Sequence, residues 1–289
     1  MILTKRHIFP LSKVIFRPMI GLGCLLIAHA QDASPVQSAA RPYNLDIIAP
    51  VEVAGSDAAS LNFQTNVLPG LLATERSTIG YQTHTEANLA TISSGASELT
   101  LSGDSSVRVY FLGEKAAYLN TLGFSTTGGS PLSPGAALIF PNASDPLSLG
   151  GSGSPIRTAT DPLLPGDFVN LGNFKAGTSL DFFLIAYGAS GGKFFSSTNL
   201  SMNQDGLVHT VTMATDGSPY LIVSFEDQKG GGDRSFNDVY FAVDITPSLS
   251  SAIVSLGAPE PSLAVGTLLT GCALLGARRR QRRDPLSLI

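Results

Sequence analysis

The sequence predicts an all-β domain, an antiparallel β-sandwich of jelly-roll-like type, set between an N-terminal signal peptide and a single C-terminal transmembrane helix. Three observations carry this. Short runs of alternating apolar and polar residues recur through the middle of the chain, with Gly, Ser, Asn and Pro between them roughly every ten residues. No long apolar period of 3.6 residues runs between them. Apolar stretches flanked by basic residues lie at both ends, and both cysteines, Cys24 and Cys272, fall inside those stretches.

Residues 1–30 read as the signal peptide. Lys5, Arg6, Lys13 and Arg17 precede an apolar run from Met19 to Ala28, and Ala28-His29-Ala30 supplies small residues for cleavage. A lipid-anchored Cys24 is the rival reading, but Leu25, Leu26 and Ile27 follow that cysteine, where a lipobox has most of its apolar core before it. Residues 31–96 form a polar N-terminal spacer and the start of the β domain. Tyr43 to Val53 alternates weakly, and Pro69 to Ser77 has room for one helical turn or two.

The domain proper is expected over 97–246. Strand-like runs are 97–103, 106–113, 179–188, 207–214, 220–227 and 239–245. Phe182, Phe183, Phe194, Phe195, Phe225, Phe236 and Tyr240 read as core or rim aromatics, with a sugar-stacking platform as the alternative. Residues 148–155, "SLGGSGSP", read as a flexible loop, and 247–258 as a linker.

Beyond the linker, Ser262 to Ala277 is uncharged, a run that as a helix covers about 24 Å against roughly 30 Å of hydrocarbon. Arg278, Arg279, Arg280, Arg282 and Arg283 follow and would hold that end in the cytoplasm. A buried core helix is the competing reading, disfavoured because five arginines would need solvating beside it. Pro259-Glu260-Pro261, the uncharged run and the arginines together (259–283) resemble the PEP-CTERM sorting signal of Gram-negative bacteria. That resemblance implies an exosortase-type processing enzyme as a partner, transient anchoring in the inner membrane, and delivery to the cell envelope or an extracellular polysaccharide matrix. The tail 284–289, "DPLSLI", runs on past the point where that signal usually stops.

Charge and composition exclude several classes. Without the leader and the arginine tail, nine basic residues face 21 acidic ones, a net charge near −12 where the whole chain carries −4. Nucleic acid binding begins with clustered Lys and Arg on phosphates, so no nucleic acid partner is expected, and divalent cations suit the domain better. With no cysteine between its end segments, the domain has neither an internal disulfide nor a thiol nucleophile.

The densest chemistry lies in 223–245, "VSFEDQKGGGDRSFNDVYFAVDI". Two strand-like runs would bring Asp227 and Asp238 together as the ends of a hairpin, with Asp233 and Asn237 on the loop. Glu226 joins them only if its strand ends before it, because neighbours on a strand face opposite ways. Ca²⁺ takes six to eight oxygens from carboxylates, amides and main chain, with glycine where the backbone turns sharply. Glu226, Asp227, Asp233, Asn237 and Asp238 are therefore the candidate ligands. The competing reading has the same residues making Asx turns and capping backbone donors around Gly230–Gly232, and Arg234 neutralising the cluster is a third.

The same segment, with 107–128 and 164–188 before it, resembles a bacterial secreted domain known as a domain of unknown function, number 4114 in that series. The resemblance covers about 97–245 and implies a β-rich surface module with a calcium-like acidic loop and no enzymatic activity. Where that family usually has an acidic residue this chain has Ser235, so Ca²⁺ binding is expected to be weak, about 10⁻⁴ to 10⁻³ M.

No catalytic constellation accompanies the acids. The chain has no Trp to stack a sugar in a glycosidase cleft, and neither His84 nor His209 has a nucleophile elbow or a metal-type neighbour at i+4. The expectation is a non-enzymatic component of the envelope or exopolysaccharide (biofilm) matrix. The alternative is a cation-dependent carbohydrate-binding adhesin.

Overall fold

β-branched and aromatic residues set the strands. The computed structural model describes residues 35–85, 88–89, 99–147, 156–214 and 218–245. The expected signal peptide, the loop 148–155, the linker and the sorting signal lie outside the described residues. Among the described residues no helix is long and apolar enough to cross a membrane.

Among the described residues ten strands follow in order: β1 Leu99–Thr100, β2 Ser105–Glu114, β3 Thr121–Ser125, β4 Ala137–Phe140, β5 Phe168–Phe174, β6 Ser179–Ile185, β7 Phe195–Ser197, β8 Thr210–Ala214, β9 Tyr220–Phe225 and β10 Val239–Ile245. One sheet runs β5-β2-β10-β9-β8; the other runs β1-β6-β3-β4, with β7 also paired to β6. Every pairing between named strands is antiparallel. The structure is thus mostly antiparallel β, as the alternating runs predict.

Side chains leave a strand on alternate faces, so one set from each sheet meets in the middle. Val107, Val109 and Phe111 of β2, Val223 and Phe225 of β9, and Phe241 and Val243 of β10 share one buried cluster with Leu122, Phe124, Phe182 and Leu184 of the other sheet. Phe182 and Phe241 cross this layer edge to face, centroids 5.1 Å apart. Such a pair adds about 0.5–1.5 kcal/mol beyond the area it buries.

The expected short helical piece at 69–77 is too small. Helix runs from α1, Ala58–Asn62, through a π turn at Phe63–Val67 into α2, Leu68–Thr78. Pro69 has no N–H to give, so the ladder widens just before it, and the π turn inserts a phase shift. Phe63, Leu68, Leu71 and Ile79 still fall on one face, but no single 3.6-residue template registers them. That face covers the outer side of β2, β9 and β10, where Tyr110, Leu112, Ile222 and Ala242 are buried. Phe63 stacks on Tyr110 at 3.7 Å between centroids. Asp57 caps α1 by accepting from Ser60 N at 2.6 Å, and Arg108 of β2 grips the same carboxylate at 2.8 and 3.1 Å.

The weak alternation at 43–53 gives no strand. It forms a short 3₁₀ turn at Pro42–Asn44 and two isolated bridges, Ile47 to Leu138 and Glu52 to Phe168. Tyr43 and Leu45 there pack on the outer face of the other sheet against Leu138, Phe183, Ile185 and Phe195.

Candidate metal centre

The β9–β10 hairpin ends in the acidic loop. β9 stops at Phe225, Phe225 faces Val239 across the ladder, and Asp238 N donates back to Phe225 O at 3.0 Å. Because the strand has ended, Glu226 and Asp227 escape the two-face rule, and both turn toward Asp238. Each of the three can offer an oxygen so that all the offered atoms lie within 4.8 Å of one another, and the residues are 0, 2 and 8 % exposed.

Backbone and amide groups hold the three in place. Asp227 N donates to Asp238 Oδ2 at 2.8 Å. Gln228 N donates to Glu226 Oε1 at 3.1 Å, and Arg234 N to Glu226 Oε2 at 3.0 Å. Asn120, fully buried just before β3, donates from Nδ2 to Asp227 Oδ2 at 2.7 Å. The loop closes over Glu226 because Gly232 sits at φ 47° with no side chain; a Cβ there would lie 2.1 Å from Glu226 Oε1. Arg234 and Phe236 also take left-handed backbone, at φ 59° and 54°.

These carboxylates resist ionisation. Burial, then the Asp238 charge, pushes the Glu226 carboxyl up to about 8, against a smaller lowering by the Gln228 N–H. Burial and again Asp238 push Asp227 up to about 7, with Asn120 opposing. Asp238 is raised by burial too, against the hydrogen bond from Asp227 N. A divalent cation removes both causes, since it replaces lost solvation and cancels the mutual repulsion.

Three of the five expected ligands therefore converge, and two do not. Asp233 is exposed on the loop, where its Oδ1 accepts from Ser235 N at 2.9 Å, an Asx turn of the kind the competing reading expects. Asn237 is turned elsewhere: its Oδ1 accepts from Ser235 Oγ at 3.0 Å and its Nδ2 donates to Gly80 O. Ser235 serves the same turn. Arg234 commits its Nε to His84 O at 2.9 Å, tying the loop to the segment after α2.

Asn120 was not legible as part of this site, because 107 positions separate it from Asp227. Asp205 and His209 were missed as a support. His209 is fully buried, with Nδ1 at 3.2 Å from Glu226 O and Nε2 at 3.0 Å from Asp205 Oδ2. Asp205 also accepts from Gly230 N at 2.7 Å. Burial alone would raise Asp205; its bonds from Gly230, Leu207 and His209 overcome that and bring it down to about 2. It braces the glycine turn from outside the cluster.

Three carboxylates so placed could hold a metal ion, supplying part of its oxygen shell. With its geometry in view, the segment can be set beside known proteins. Residues 174–246, which span β6 to the end of β10 and hold all three carboxylates, match a family model described as "Domain of unknown function (DUF4114)". No curated protein and no solved structure matches the chain.

Proposed function

We propose that the chain is an exported structural component of the cell envelope or extracellular matrix, sorted by an exosortase-type enzyme, whose β domain carries a weak calcium site. The observation that carries the calcium part is the buried trio Glu226, Asp227 and Asp238, drawn together although the Asp238 charge raises the cost of ionising both of the others. The sorting part is supported by the Pro-Glu-Pro, apolar and arginine segments in their order. The reading is non-catalytic, and it agrees with His209, just before β8, whose two nitrogens are both occupied.

Thermal unfolding of the full chain tests the cation. Moving from chelator to several millimolar Ca²⁺ should raise the midpoint by about 3–6 °C, the shift that a weak site near saturation gives a domain of this size. Asp227→Asn should abolish the response. A midpoint indifferent to calcium in both proteins ends the metal reading. For the sorting reading, cells making the chain truncated from Ala258 onward are fractionated; the envelope fraction should lose it, and an unchanged distribution would sink that part.

A second reading, a cation-dependent carbohydrate-binding adhesin, is favoured by one observation: Asp227 also forms part of the wall of an open groove rich in tyrosine.

A further inference from the structure

That groove, about 350 Å³, lies beside the carboxylates and is lined by Tyr118, Tyr187, Lys193, Phe194, Asp227 and Lys229 among others. Its volume falls at the small end of ligand sites, roughly 300–1,000 Å³. Tyr118 and Tyr187 stack with centroids 3.8 Å apart and planes 29° off parallel, and Tyr187 is 45 % exposed. Tyr118 stands within electrostatic reach of both Asp227 and Asp238. Phe194 flanks the pair and meets the His209 ring edge-on at 5.9 Å. Asp227 itself is 2 % exposed, with Oδ2 on Asn120 and Oδ1 bonded to no other described residue.

The platform and the carboxylate are positioned by the same amide. Asn120 Oδ1 accepts from Tyr187 N at 3.3 Å while its Nδ2 donates to Asp227 Oδ2 at 2.7 Å. Tyr187 takes left-handed backbone at φ 55°, an arrangement costly for an aromatic residue and one that the neighbouring structure must hold. It is held by Gly192 N, which donates to Tyr187 O at 2.8 Å, and by Gly188, which packs so close to Thr121 that a Cβ would sit 2.4 Å from its Oγ1. Strain of this kind concentrates at ligand sites, and here it aims a phenol ring over a groove.

The chemistry of the walls selects the occupant. Stacked phenols accept the flat C–H face of a pyranose while their hydroxyls and a bound cation meet its hydroxyl groups. Lys193 and Lys229, both exposed at the rim, repel a cationic ligand and attract an anionic one. An open groove suits one unit of a long polymer better than an enclosed small molecule. We propose that this groove binds an acidic pyranose unit of a polysaccharide, its ring on the outer face of the Tyr118–Tyr187 stack, its carboxylate toward Lys193 and Lys229, and its hydroxyls completing the shell of a cation at Asp227. This rests on the calcium reading and adds a ligand class to it.

The test uses the full chain in detergent solution, with methyl galacturonide as probe and methyl galactoside as its neutral control. Each is measured by saturation-transfer NMR and by tyrosine fluorescence, which no Trp obscures. Calcium at about 5 mM, above the weak-site range, is compared with chelator. The uronide should bind with calcium and about tenfold more weakly without it, a tenfold change in Kd. Tyr187→Asn, a residue that tolerates left-handed backbone, and Tyr118→Ala should each lose the saccharide signal and keep the calcium-induced rise in unfolding midpoint. Removing both lysines should erase the preference for uronide over galactoside.

A calcium-induced midpoint shift with no saccharide signal overturns the groove inference and leaves the calcium reading standing. Loss of both the shift and the signal overturns both. Saccharide binding that is indifferent to chelator and to Asp227→Asn overturns the cation bridge, and equal binding of the two sugars overturns the acidic class.

Discussion

Asp167 and the Glu226–Asp227–Asp238 trio are both buried carboxylate sites, but they meet burial in opposite ways. Asp167 is fully buried and takes the Arg157 guanidinium on both oxygens, with Arg157 Nη2 donating to Oδ1 at 2.8 Å, and further bonds from Ala54 N at 3.1 Å and Leu164 N at 2.8 Å. One negative charge meets one positive charge in a fork geometry that leaves neither uncompensated. The trio, by contrast, is bonded by amide N–H groups and by a hydrogen bond between the Glu226 and Asp238 side chains, and three acidic groups share one small volume. A charge-balanced pair joins the segment around Arg157 to the strand that starts at Phe168. An unbalanced cluster is expensive as pure structure, and a cation held there would remove that expense.

This contrast can be broken most forcefully at the balanced site. Arg157→Ala strands the Asp167 charge in the interior and should cost about 3–5 kcal/mol, the usual penalty for removing one partner of a buried pair, read by urea unfolding. If the loss is below a kilocalorie or so, the pair is not what holds Asp167.

The next effect concerns pH. Carboxyls raised in the folded state above the ordinary value near 4 bind more protons folded than unfolded. Their contribution is complete below about pH 4 and fades as pH climbs through the folded values. For Glu226 and Asp227, raised to about 8 and about 7, that window runs from weakly acid to just above neutral. Calcium-free protein should thus lose stability on the order of 3 kcal/mol between pH 5 and pH 8, and millimolar Ca²⁺ should flatten the curve. A calcium-free profile that is level over this range would remove the electrostatic argument for the site. Within the same experiment, the smallest change comes from Asp238→Asn. An amide oxygen still accepts from Asp227 N, one like charge is gone, and the calcium-free chain at pH 8 should gain about 1 kcal/mol while its calcium response disappears.

How much of this was legible differs by element. β10 was readable to the residue from 239–245, and β2 and β6 nearly so, since β-branched and aromatic alternation is a local signal. β3, β4, β5 and β7 were missed as strands. β3, "TLGFS", is buried at every position, so it shows no alternation, and β7 is only three residues long. The helix over 58–78 was hidden by its own π turn. In the candidate site, Asp227 and Asp238 were paired by the hairpin logic alone, whereas Asp233 and Asn237 shared the same acidic stretch and went to turn duties.

The sequence by itself determined the alternating strands, the glycine-turned acidic hairpin between β9 and β10, and the expectation of apolar, basic-flanked ends, because each is written in residues close together along the chain. Only the tertiary structure decided which carboxylates converge, that Asn120 joins Asp227 to Tyr187, and that a tyrosine groove opens beside them. Those choices depend on contacts between residues up to about a hundred positions apart, and a side chain's direction at the end of a strand is settled by what it packs against, not by its neighbours in the chain.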